Sequence, residues 1–119
     1  DQAARTVACI AEVLRRAGRS PSSLSRLGFF VLAPKSQIGR GIFEEQLKPE
    51  SIRQKVNQRV NAYAGERDDW YSEWFLPTLA RIDLRPASWE DLIGRIGEQD
   101  TGSAGSIQAL YERCLRFNR

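Results

Sequence analysis

A chain of 119 residues, 41% hydrophobic and 28% charged with a formal net charge of +3, buries roughly 65% of its unfolded surface on folding and has the composition of one ordinary globular domain or domain fragment. Its longest purely apolar run, Phe29 to Ala33, falls far short of the roughly 20 residues that span a bilayer. The opening stretch ends on Arg15 and Arg16, the reverse of a secretory leader, so a cytoplasmic protein with no membrane partner is expected. Histidine is absent, which excludes the Ser-His and Cys-His triads and the usual imidazole ligands of zinc and iron.

From Gln2 to Ala17, apolar residues recur at Ala3, Val7, Ile10, Leu14 and Ala17, the spacing of one helix face. Ala4, Ala8 and Ala11 widen that face with small side chains, which suits a flat partner such as a sheet. Gly18 ends the helix, and Arg19 to Arg26, with Pro21 and four serines, has the composition of a loop. Leu27 to Ala33 (LGFFVLA) is apolar on both alternating faces and stopped by Pro34, the pattern of a buried central strand. Lys35 to Gly41 follows as a loop or weak helical turn. Pro49 and Ser51 open a helix that runs through Ala64 on the narrow stripe Ile52, Val56, Val60 and Tyr63.

Asp68 or Asp69 is expected to cap a helix in DDWYSEWFLPTLA, which Pro77 kinks or shortens. Arg81 to Arg85 (RIDLR) is a short second strand. Ser88 and Asp91 make a capping box before Leu92, Ile93 and Ile96. Glu98 to Gly105 has the composition of a flexible loop, and a last helix carries Ile107, Leu110, Tyr111, Cys114 and Phe117 on one side. The fold class expected is a predominantly helical α/β fragment of about five to six helices, with one buried central strand (27–33) and a short second strand (81–85).

A strand hidden on both faces must pair its backbone groups, since each orphan costs about 1–3 kcal/mol. One short strand covers one edge. A further neighbour is therefore expected from residues upstream of Asp1 or from a second copy of the chain. The absence of Met and the opening at Asp1 lead to the same expectation of an upstream segment.

Residues 1–41 hold seven Lys/Arg against two Asp/Glu, and 42–119 hold eleven against thirteen, so the basic first third is the natural place for phosphate. Lys35 and Arg40 follow the C-terminal end of the strand, where open α/β sheets receive ligands; a plain solvated loop is the alternative. Trp70 and Trp74 share a helix face at i, i+4, with Tyr71 and Phe75 as a second row about 100° round the helix; the cluster is a core-facing surface, or else a stacking platform for bases or a protein-partner hot spot. Their neighbours Asp68, Asp69 and Glu73 suit a protein better than phosphate. No glycine-rich phosphate loop is present. The pairs Glu44/Glu45 and Asp68/Asp69 lack a third oxygen ligand and belong to caps or solvated faces, so no metal ligand is assigned. Cys9 and Cys114 form no C-x-x-C pair and are expected to be thiols.

The order of an Ala-rich helix opened by Gln2 (QAARTVACIAEVL) and the strand LGFFVLAP resembles the trailing half of the PD-(D/E)XK nuclease-like fold. The short strand and capped helix of RIDLRPASWEDLI are similar to late elements of some such proteins. The resemblance covers about half the chain. It implies a nucleic-acid-processing parent whose metal-binding Asp and E-x-K strand precede this segment. Neither E-x-K nor D-x-K occurs here, so this part would not be catalytic by itself. The resemblance further implies a divalent ion such as Mg held by the parent rather than a cofactor of this chain, Gln2 beside that metal site, and Arg5, Arg16, Lys35 and Arg40 on DNA or RNA phosphates. The other expectation is a non-enzymatic helical interaction module of a bacterial-type cytoplasmic protein, holding its partner through Trp70 and Trp74.

Overall fold

The computed structural model describes residues Asp1 to Phe117. In chain order it contains α1 (Gln2–Ala17), a 3-10 turn (Pro21–Ser23), β1 (Gly28–Ala33), α2 (Lys35–Gly39), α3 (Glu44–Leu47), α4 (Pro49–Asn61), α5 (Asp68–Trp70), a π-helical turn (Tyr71–Phe75), α6 (Leu76–Arg81), β2 (Asp83–Ser88), α7 (Trp89–Gln99) and α8 (Thr101–Phe117). This is a mostly helical α/β chain with one two-stranded parallel sheet, β1 beside β2. Its contacts group into two compact units, Asp1–Val31 with Ile42–Arg85 and Leu32–Gly41 with the chain from Pro86 onward.

The first unit holds the larger core. The expected face of α1 is the buried one, through Ala3, Ala4, Val7, Ala11 and Leu14. Asp1 caps this helix by accepting the Ala3 N–H at 2.9 Å. Gly18, at φ 62°, closes it, and Arg19 N–H returns to the Leu14 carbonyl at 3.0 Å. Only a residue without Cβ takes that left-handed conformation freely. The alanines meet helices rather than a sheet: α1 packs chiefly against α4, α6 and the π-helical turn. Small side chains permit close approach to another helix as readily as to strands, so the sequence left the partner open. Val7, Ile52 and Phe75 are fully buried in this core, each contributing about 1.5–3 kcal/mol by leaving water.

β1 corrects one expectation. It is a strand, but its central residues are not hidden on both faces: Phe30 is 49% and Leu32 41% exposed, while Leu27, Phe29 and Val31 pack on the core. The helices of the first unit cover one face only, and an apolar sequence does not by itself supply a second cover. β2 runs Asp83–Ser88, later than the expected 81–85, because Ile82 is still tied to α6 through its N–H to the Thr78 carbonyl at 2.9 Å. Pro86 within β2 gives up one ladder donor.

Pro77 does not shorten its helix, which stays helical from Asp68 to Arg81. Leu76 N–H bonds back to the Tyr71 carbonyl across a π turn, which widens the helix just where proline lacks a donor and crowds the preceding carbonyl. The widened turn changes which side chains share a face. Trp70 stacks on Phe75 at 5.8 Å between ring centroids, where the sequence pairs it with Trp74, while Tyr71 stacks on Phe75 at 5.3 Å, the row that helical spacing gives. Asp68 and Asp69 lie inside the first turn of α5 and do not cap it; Arg67 is the N-cap.

In the second unit the Ser88 half of the expected S-x-x-D capping box forms, with Ser88 Oγ accepting the Asp91 N–H at 3.0 Å. Ser88→Ala is expected to lower the stability of this unit by about 1 kcal/mol, read from the midpoint of chemical denaturation. Residues 98–105, expected as a loop, are helical on either side of the extended Asp100. α7 reaches Gln99, and Asp100 caps α8 by accepting from the Ser103 N–H at 3.2 Å and the Ser103 hydroxyl at 2.6 Å. Gly102 and Gly105 weigh against helix there, but the Asp-Thr-Gly-Ser cap and contacts with α7 outweigh them. Among the described residues, no helix is long and apolar enough to cross a membrane.

Candidate functional site

The first unit contains a hollow of about 730 Å³ between α1 and α4, continued by the turn that follows α4. Helical spacing builds it. From the N-cap of α1 onward, Asp1, Arg5, Cys9 and Glu12 succeed one another at three- and four-residue steps, and on α4 Lys55 and Arg59 stand four residues apart. The floor is apolar, made by the buried Ala4, Val56 and Val60 with the half-buried Ala8. After α4 the chain turns through Ala64 (φ 50°) and Gly65 (φ 91°). This brings Arg67 over the ring of Tyr63, 5.4 Å from its centroid. Trp70 completes the wall.

Four cations line this hollow: Arg5, Lys55, Arg59 and Arg67. Lys55 is paired with Asp1. Among the described residues, no carboxylate lies within 4.0 Å of Arg5, Arg59 or Arg67. The one other acid in the lining, Glu12, is already engaged. It accepts from Arg15 at 2.8 Å and from Arg16 at 2.8 Å, and these hydrogen bonds, Arg15 first, hold its carboxyl at about 2. Trp70 is anchored by stacking on Phe75, and its buried indole N–H has no acceptor among the described residues.

The sequence-predicted residues are thus divided. Arg5 and Trp70 share the hollow; Arg16, also on α1, is turned to Glu12. Gln2 is exposed and its amide donates to Thr6 Oγ1 at 3.5 Å. Trp74 is half-buried, and its carbonyl accepts the Thr78 hydroxyl at 2.7 Å. Lys35 and Arg40 belong to the second unit. Lys55, Arg59, Tyr63 and Arg67 were missed by the sequence reading. The signal for Lys55 and Arg59 lay in α4, where they flank the narrow stripe that Tyr63 continues; Arg67, beyond the helix, had none.

The second unit has a groove of about 750 Å³ lined by Gln37, Arg40 and mainly apolar side chains of α7 and α8. Lys35 lies 3.8 Å from Asp91, both well exposed. Glu90 accepts the Lys35 N–H at 3.0 Å and the Tyr111 hydroxyl at 2.9 Å. Burial opposes ionisation of Glu90, but the bonds from its own N–H, from Lys35 and from Tyr111 outweigh it and keep the carboxyl below its ordinary range. Tyr111 is pushed up to about 12, by burial first and then by its bond to Glu90.

A tyrosine whose folded value is raised stabilises fully below its ordinary value near 10 and loses that contribution as pH rises toward 12. The lowered value of Glu90 stabilises above the ordinary carboxylate value and is lost as pH falls through the folded one. The stability difference between the native chain and Tyr111→Phe, from urea titrations, is therefore expected to be largest near neutral pH and to vanish toward about pH 12.

Among the described residues, no three Cys, Asp or Glu side chains stand together as a cation-binding group. No protein-family model, curated protein or solved structure matches this chain.

Proposed function

We propose that this chain is a nucleic-acid-binding part of a larger nucleic-acid-processing protein, and that the hollow between α1 and α4 is its contact surface. The observation that carries the proposal is the convergence of Arg5, Lys55, Arg59 and Arg67 on one concavity with the exposed Tyr63. Three of these cations lack a carboxylate partner among the described residues, and guanidinium groups suit phosphate through their forked donors. The helix–strand order of the first 33 residues, similar to the PD-(D/E)XK fold, favours the same ligand class. The proposal assigns binding to these residues and no chemical step. Metal-assisted hydrolysis would belong to the parent protein's own donor set. Pairing of a further strand, from the parent or a second copy, along the open side of β1 is part of the same reading.

A protein-partner surface at Trp70 and Trp74 has less support, because Trp70 packs on the core and against Phe75. The test is equilibrium binding of a labelled oligonucleotide across a range of salt concentrations. Affinity that falls linearly with log salt is expected. Absence of binding at low ionic strength would leave the basic hollow as ordinary surface.

A further inference from the structure

We infer that the hollow receives an unpaired strand, one nucleotide seated between α1 and α4, and not a duplex; the inference rests on the function proposed above. The first ground is shape. A recess of about 730 Å³ is of the size that encloses small molecules, whereas duplex recognition relies on an element that projects into a groove or on cations spread along a convex or extended face. Here the cations stand around an open depression and not on a projecting element.

The second ground is the chemistry of that floor and wall. Ala4, Val56 and Val60, each at most 6% exposed, make an apolar floor that offers nothing to phosphate. Tyr63, 52% exposed, carries the Arg67 guanidinium over one face of its ring, so an aromatic and a planar cation, the two kinds of surface on which unpaired bases stack, stand together. Arg5 and Arg59, on the facing helices, then take the phosphates on either side. Stacking of this kind tolerates any base, so no strong sequence preference is expected.

The experiment compares ten-nucleotide oligo(dT) and oligo(U) with a ten-base-pair DNA duplex, by fluorescence anisotropy at one low salt concentration, with the native chain and Tyr63→Ala. Either single strand is expected to bind at least about tenfold more tightly than the duplex. Tyr63→Ala should cut single-strand affinity by about tenfold, leave its salt slope unchanged and leave the circular dichroism of this exposed position unchanged. Duplex binding equal to or tighter than the single strands, or an equal loss for both in Tyr63→Ala, overturns the inference while the proposed function stands. Failure of all three probes to bind overturns both.

Discussion

Replacing Arg5 and Arg59 together by glutamine is expected to weaken oligonucleotide binding by about 25-fold at 0.1 M salt and to flatten the dependence of log affinity on log salt by about 1.4. Each phosphate contact on a single strand releases about 0.7 counterion, so at 0.1 M one contact is worth about fivefold, and two lost contacts multiply. Both positions are exposed, and glutamine is nearly as good a helix former as arginine. The fold should therefore survive, which circular dichroism checks. The same loss of two charges at Arg95 and Arg113, both exposed in the second unit, should leave the slope within a few tenths of native. Equal effects of the two pairs would mean that net charge, and not the hollow, attracts the ligand.

Phe75→Ala should produce the largest loss of stability of any single substitution considered, about 3–5 kcal/mol. The side chain is fully buried and is the common stacking partner of Trp70 and Tyr71. Its removal leaves a cavity at the place where α1 meets the π-helical turn. A total stability of about 5–15 kcal/mol is typical of domains, so this variant should unfold at markedly lower denaturant, and the change in tryptophan emission should track the loss. Trp74→Ala is the comparison. Trp74 is half-buried and stands outside the core cluster, so its truncation should cost well under half as much. Equal costs would mean that Trp74 belongs to the core as Phe75 does.

That contrast marks the boundary between local and distant information in this chain. Periodicity predicts α1 and its buried face, the strand at 27–33 that forms at 28–33, the helix opened by Pro49 and the Ser88 cap, because each depends on the spacing of a few neighbouring residues. Composition misleads at 98–105, where two glycines weigh against a helix that Asp100 caps and α7 supports.

What the amino-acid sequence determined alone is the mostly helical α/β class, the chain order of its main elements and the exclusion of histidine-based chemistry. The tertiary structure decided which surfaces face one another. It left Phe30 and Leu32 open because covering a strand takes a partner layer, and no run of apolar residues specifies one. It also joined Arg5 to Lys55, Arg59 and Arg67, some fifty residues and more apart in sequence, around a single hollow. Charges that far apart along the chain have no local signature, since only the close approach of α1 and α4 through small side chains and valines brings them together.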